Sequence, residues 1–128
     1  MKSGILLAII VHSMNTQIII LAAGHGKRMQ SELPKALTPL HGKPFISHLL
    51  ETIKKSDIDP NPIIVVGQKR EQIIDVLGQA YRYAVQEEQL GTGHAVQSAR
   101  DHVEDADALI VLYGDHPFLS ASTLNRLA

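Results

Sequence analysis

An apolar run at residues 18–21 leads directly into a loop of small residues, two glycines and several basic side chains. A short run of isoleucine and leucine predicts a strand buried within a parallel sheet. The small residues 22–24 leave room for a base or a sugar, and the glycines let backbone N–H groups approach a ligand closely. Arg28 within the loop and Lys35 beyond it add positive charge where phosphoryl oxygens would lie. The sequence therefore predicts a phosphate-binding turn at the end of a buried strand.

The loop differs from the common phosphate-loop templates. The dinucleotide fingerprint requires a third glycine where this chain has Met29. A Walker loop requires Gly-Lys-Ser/Thr after a four-residue spacer, whereas Gly26, Lys27 and Arg28 come too early for that pattern. The loop is thus a phosphate loop of another kind or, in the simpler interpretation, a basic turn between a strand and a helix.

Apolar runs and helical segments alternate along the rest of the chain. Strands are predicted at residues 17–21, 63–66, 81–85 and 108–112, and helices at residues 44–55, 70–77, 93–102 and 120–127. Gly78 is predicted to end the second helix and Ser120 to cap the last one. This repetition predicts an α/β fold, a Rossmann-like three-layer sandwich with a mostly parallel sheet and helices on both faces. Ligands bind beyond the carboxyl ends of such strands, so the loops at those ends are the candidate site.

The chain has 128 residues, a net charge of −1 and no cysteine. This length is enough for one domain with a hydrophobic core. The balanced charge gives no indication of a nucleic-acid surface or a polybasic membrane patch. The absence of cysteine excludes disulfides and thiolate metal sites, and it fits a cytoplasmic protein.

The first residues have the outline of a signal peptide, because Lys2 precedes an apolar run at residues 4–11. The run is short, and residues 12–15 make a poor cleavage site. Met14 provides a natural start that leads straight into the first strand. We therefore expect residues 1–13 to be a leader or an upstream-start extension, with an export signal as the alternative, and residues 14–128 to form the folded domain.

Four motifs follow one another along the chain. They read LAAGxGxRM and then LPK at residues 21–35, GKP at residues 42–44, QEEQLGTGHAV at residues 86–96 and YGD at residues 113–115. The first two resemble the signature of the sugar-phosphate nucleotidyltransferases. The third is similar to the uridine-recognition segment of the bacterial N-acetylglucosamine-1-phosphate uridylyltransferases, and the fourth to the metal-bearing turn of that family. By this resemblance, residues 14–128 are the N-terminal, nucleotide-binding part of a nucleotidyltransferase domain.

The resemblance implies a Mg²⁺-dependent reaction of UTP with N-acetylglucosamine 1-phosphate that gives UDP-N-acetylglucosamine and pyrophosphate. The attacking phosphate is already anionic, so the reaction needs positioning, cations and a metal ion rather than a general base. Arg28 would clamp the triphosphate, with a surface ion pair to Glu32 as the alternative, and Lys35 would neutralise phosphate charge near the reacting centre. Asp115 would hold Mg²⁺ through a carboxylate oxygen, with a turn cap as the alternative.

The same resemblance assigns the nucleotide-binding residues. Gln86 and Gln89 carry amides that suit a uracil edge, whereas His94 is expected to be structural. Thr92 has a second interpretation as a helix N-cap. The full set is Leu21, Ala22, Ala23, Gly24, Gln86, Gln89, Gly91, Thr92, Tyr113 and Gly114.

Several alternatives stay open at the level of sequence. In this family the catalytic domain continues beyond the equivalent of Ala128 and supplies an asparagine as a second metal ligand. The chain could therefore be a UTP-binding fragment without turnover, could need a completing partner chain, or could form a homo-oligomer through an exposed sheet edge. A related enzyme for another sugar phosphate, choline phosphate or molybdopterin is a further alternative, although such enzymes lack a counterpart of residues 86–96. Neither nucleic acid nor a membrane is expected as a partner.

Overall fold

The computed structural model describes residues 15–24, 33–116 and 118–127. The strands in these ranges are β1 (Thr16–Leu21), β2 (Pro39–Leu40), β3 (Lys43–Pro44), β4 (Ile63–Val66), β5 (Arg82–Val85) and β6 (Ala108–Tyr113). The α-helices are α1 (Phe45–Ser56), α2 (Arg70–Leu77), α3 (Thr92–Ser98) and α4 (Ala121–Leu127). Within the same described ranges, single-turn 3-10 helices cover Lys35–Leu37 and Arg100–His102.

Four parallel strands form the central sheet in the order β5-β4-β1-β6. Leu21 at the end of β1 lies opposite Val65 of β4 and Tyr113 of β6. Because the strands are parallel, their carboxyl ends meet at one edge of the sheet, where ligands bind in folds of this kind. The short strands β2 and β3 form a separate antiparallel hairpin.

Helices cover both faces of the sheet, as side chains of β1 show. Ile18 and Ile20 point into a core formed with α1, α2 and α4, whereas Ile19 points into a second core formed with α3. All three isoleucines are fully buried. The alternation follows from the period of two in a strand, and burial on both faces accounts for the continuous apolar run. The predicted α/β three-layer fold is confirmed.

The predicted strands agree with the structure to within one residue at each end, but one helix prediction is wrong. The helix expected at residues 93–102 ends at Ser98 and continues as the 3-10 turn Arg100–His102. The chain tightens at Ala99, whose N–H donates to the carbonyl of Val96 at 3.1 Å. Two features had no counterpart in the sequence predictions: the 3-10 turn Lys35–Leu37 and the hairpin of β2 and β3.

The predicted helix ends are confirmed at two positions. Gly78 follows α2 with φ 93°, a conformation that glycine adopts without strain. Ser120 precedes α4, and its Oγ accepts a hydrogen bond from the Thr123 N–H at 3.1 Å. The hairpin is tied to α1 by an ion pair of 2.5 Å between Lys43 and Glu51, and this ammonium lowers the pKa of the Glu51 carboxyl.

Some sequence predictions fall outside the described residues. These are the leader at residues 1–13 and the middle of the phosphate loop, including Arg28. Within the described ranges, no helix has the length and apolar character needed to cross a membrane.

Candidate active site

A cleft of about 570 Å³ opens at the carboxyl edge of the sheet. Residues that follow β1, β5 and β6 line it together with the start of α3 and the 3-10 turn Lys35–Leu37. The described lining residues are Leu21, Ala22, Ala23, Gly24, Lys35, Ala36, Gln86, Gln89, Gly91, Thr92, Ala95, Tyr113, Asp115 and His116. The volume falls within the range of small-molecule sites.

Gln86 lines the cleft and is only 3% exposed. The backbone N–H of Gln86 donates to the carbonyl of Val66 at 2.8 Å, which extends the contact between β4 and β5 beyond the strand ends. Its side-chain Nε2 lies 3.0 Å from Nδ1 of His94 and 3.4 Å from the carbonyl oxygen of Gly91. The side chain is therefore held by two contacts within the segment that the sequence singled out.

Two side-chain contacts join loops that are distant in sequence. The amide Nε2 of Gln89 donates to the carbonyl of Ala23 in the first loop. The hydroxyl oxygens of Thr92 and Tyr113 lie 3.5 Å apart, which brings the start of α3 next to the end of β6. The interpretation of Thr92 as an N-cap is wrong: Gly91 occupies that position with φ 106°, and no side chain caps the helix.

Lys35 and Asp115 are the described lining residues with formally charged side chains. The Lys35 backbone N–H donates to the carbonyl of Gly24 at 3.4 Å, which places this lysine beside the start of the phosphate loop. The Asp115 side chain is 30% exposed, and its Oδ1 lies 3.8 Å from Nε2 of His116. The His116 ring also packs against Tyr113 with centroids 5.4 Å apart. A basic side chain, that of Lys35, and an acidic side chain, that of Asp115, thus line the same cleft.

At Gly114 the backbone closely approaches Leu21 and Ala36, two residues that line the cleft. Its N–H donates to the Leu21 carbonyl at 2.9 Å. A β-carbon at this position would lie 3.1 Å from that oxygen and 3.3 Å from the β-carbon of Ala36. Gly114 is buried, and the residues on both sides of it in the chain, Tyr113 and Asp115, line the cleft.

Among the described residues that line the cleft, Asp115 is the only one with an acidic side chain. Across the described part of the chain, no group of three His, Asp or Glu side chains is arranged to hold a metal ion. A partly exposed carboxylate at a cleft still fits Mg²⁺, because this ion keeps several waters and takes phosphate oxygens as further ligands.

The structure brings most of the predicted site residues to this one cleft. Arg28 lies outside the described residues, and Gly114 is not among the described residues that line the cleft. Sequence reasoning did not assign Ala36, Ala95 and His116 to the site, and all three line the cleft. The available signal was position, because Ala36 directly follows the LPK motif and Ala95 follows GTGH.

The fold is that of the nucleotidyltransferases. A solved nucleotidyl transferase from Methanothermobacter thermautotroptrophicus matches it with a TM-score of 0.71 at 22% identity, covering 89% of this chain and 56% of that chain. HddC from Yersinia pseudotuberculosis, solved in complex with GMP-PN, matches with a TM-score of 0.67 at 29% identity, covering 80% of this chain and 48% of that chain.

The MobA-like NTP transferase domain matches residues 18–128, and the chain belongs to this family. It is also similar to the bifunctional protein GlmU of Symbiobacterium thermophilum, with 43% identity over 111 residues. The alignment covers 85% of this chain and 23% of that relative. The chain therefore spans about a quarter of the length of the curated relatives that it matches.

Proposed function

We propose that this chain transfers uridylate from UTP to N-acetylglucosamine 1-phosphate, giving UDP-N-acetylglucosamine and pyrophosphate. The observation that carries the proposal is that side-chain amides and charged side chains line the same cleft. The amides suit a base, and the charged side chains suit a triphosphate and its metal ion. Similarity to the GlmU proteins supports uridine and this sugar phosphate as the substrates.

The uracil would lie beside the side-chain amides of the cleft. Gln86 and Gln89 offer side-chain amides there, and Gly91 and Thr92 add backbone groups beside them. The small side chains of Ala22 and Ala23, with Gly24, leave space for the base and ribose next to Leu21 and Tyr113. HddC, which shares this fold, is solved with the nucleotide analogue GMP-PN, and this supports a nucleotide in the cleft.

The triphosphate would extend toward Lys35 and the start of the phosphate loop. Lys35 would act as a point charge that neutralises phosphoryl oxygens. We assign Arg28 the role of a clamp on the β- and γ-phosphates, because its planar fork suits bidentate phosphate contact. Asp115 would hold Mg²⁺, which when bound supplies charge neutralisation on the phosphate oxygens.

The chemistry requires no proton transfer from the protein. A phosphate oxygen of the sugar phosphate forms a bond to the α-phosphorus of UTP, and the bond from that phosphorus to the bridging oxygen of pyrophosphate breaks. Both the nucleophile and the leaving group are anions. The side chains of the site therefore contribute by orienting two polyanions and by offsetting their charge.

Replacement of Asp115 by Asn tests the role proposed for its carboxylate. We expect Asp115→Asn to lower pyrophosphate release from UTP, Mg²⁺ and N-acetylglucosamine 1-phosphate on the order of 100-fold, because the amide removes the anionic ligand. Release is followed with a coupled phosphate assay. Asp75→Asn is the matched control, since Asp75 is exposed on α2 and away from the cleft.

Equal activity of the Asp115→Asn and Asp75→Asn proteins would contradict the role given to Asp115. Release that occurs without the sugar phosphate would contradict the proposed acceptor. Faster release with another sugar 1-phosphate, or with a molybdopterin substrate, would assign the cleft to a different acceptor within the same reaction class.

A second candidate function is UTP binding without turnover. The observation that favours it is the single carboxylate among the described lining residues. A folded wild-type chain that binds UTP by calorimetry but releases no pyrophosphate would select this function.

A further inference from the structure

We propose that His94 is a positioning residue that fixes the side-chain amide of Gln86 and thereby sets the choice between uracil and cytosine. The inference rests on the proposed function, since it concerns the base of the bound nucleotide. It gives His94 a specific role in the site, where sequence reasoning expected a structural histidine.

The orientation of the Gln86 amide follows from its neighbour Gly91. A carbonyl oxygen only accepts hydrogen bonds, so the amide atom that faces it at 3.4 Å must be the nitrogen. The same Gly91 oxygen accepts the N–H of Ala95 at 3.0 Å as the first bond of α3, which fixes its position. The Gln86 oxygen therefore points away from this carbonyl.

The contact with His94 then determines the tautomer of the imidazole. The Gln86 nitrogen lies 3.0 Å from Nδ1 and can only donate, so Nδ1 must be unprotonated and the ring proton must sit on Nε2. This bond is shorter than the contact with Gly91 and is the stronger of the two. His94 thus provides the main acceptor for the Gln86 amide.

Both hydrogens of the Gln86 amide are engaged in this arrangement, one by His94 and one by Gly91. Its Oε1 has no donor among the described residues and is not fully enclosed, and Gln86 lines the cleft. The group that Gln86 offers to a ligand is therefore an acceptor. Without His94 the nearly symmetric amide could rotate by half a turn and offer a donor instead.

An acceptor held against the base discriminates between the two pyrimidines. Uracil carries N3–H, which donates, whereas cytosine carries a bare N3, which accepts. When Gln86 Oε1 faces N3 of the base, it accepts a hydrogen bond from N3–H of uracil. With cytosine, Oε1 instead faces the lone pair of N3, and neither atom can donate. A buried site that hydrogen-bonds one partner rejects the analogue that cannot reciprocate.

The test compares affinities for UTP and CTP, each with Mg²⁺, in the wild type and two variants. His94→Leu removes the acceptor, and we expect it to lower the ratio of UTP to CTP affinity by about 3- to 10-fold. His94→Asn is the matched variant, because Oδ1 of Asn stands where Nδ1 of His stands and accepts the same hydrogen bond. We expect it to keep the wild-type ratio within about 2-fold.

A second measurement does not depend on nucleotide binding. Long-range ¹H–¹⁵N NMR of the nucleotide-free protein identifies which His94 nitrogen carries the proton, and we expect Nε2. A proton on Nδ1 would overturn the proposal, as would an unchanged UTP to CTP ratio in His94→Leu. Failure of the wild type to bind UTP would contradict the proposed function and the base selection built on it, whatever the tautomer.

Discussion

Gly67 directly follows β4, Gly114 directly follows β6, and both lie close to residues at or just after the end of β1. A β-carbon at Gly67 would lie 3.0 Å from the carbonyl oxygen of Ala23 and 3.2 Å from its β-carbon. The neighbouring Ala23 lines the cleft and accepts the hydrogen bond from Gln89. The absence of a side chain at position 67 therefore helps to place a residue of the candidate site.

Replacement of Gly67 by Ala tests this close approach. We expect Gly67→Ala to lower the free energy of unfolding by about 1–3 kcal/mol, because the contact is with backbone that cannot easily move. Gly93→Ala is the control, since nothing lies within 4 Å of a β-carbon there and the position is helical. It should raise the free energy of unfolding by about 0.5–1 kcal/mol. Urea unfolding measures both, and equal effects would contradict the account.

At the scale of elements, β1 extends further toward its amino end than its neighbour β4. The pairing of β1 with β4 begins at Ile19 opposite Ile63, whereas β1 itself begins at Thr16. The N–H of Ile18 donates a hydrogen bond of 2.8 Å to Oδ2 of the buried Asp59. The other oxygen of Asp59 accepts the N–H of Asn61 at 3.0 Å. One carboxylate thus completes the hydrogen bonding of β1 and orders the turn before β4.

Removal of the Asp59 carboxylate would leave a buried N–H of β1 without a partner. We expect Asp59→Ala to lower the free energy of unfolding by about 2–4 kcal/mol and Asp59→Asn to lower it less, because the amide keeps one acceptor oxygen. Denaturant unfolding gives the energies. Hydrogen exchange of the Ile18 amide should accelerate in Asp59→Ala, and unchanged exchange would argue against this role.

The elements that the sequence predicts well are those with a strong local pattern. Isoleucine-rich runs mark β1 and β4, and helical spacing of apolar residues marks α1. Strands β2 and β3 have two residues each, which is too short for any periodicity to appear. No glycine or proline stands at the end of α3, so the sequence gives no stop signal at Ser98.

Across the molecule, the alternation of strands and helices was enough to predict a parallel sheet. It followed that the loops after the first, third and fourth long strands would lie at the carboxyl edge of that sheet. The contacts within that edge depend on strand order and side-chain packing, which the sequence does not reveal. Gly67 meets Ala23 because β4 lies beside β1. The same limit applies to Gln86 and His94, since motif position alone does not show that one holds the other.

The activity that we propose for this cleft is the joining of uridylate to N-acetylglucosamine 1-phosphate. The most direct measurement incubates the purified chain with UTP, Mg²⁺ and N-acetylglucosamine 1-phosphate and identifies the product by mass spectrometry. The account predicts UDP-N-acetylglucosamine and pyrophosphate in equal amounts, with both absent when either substrate is left out. A folded chain that binds UTP but forms no UDP-sugar with this acceptor would contradict it.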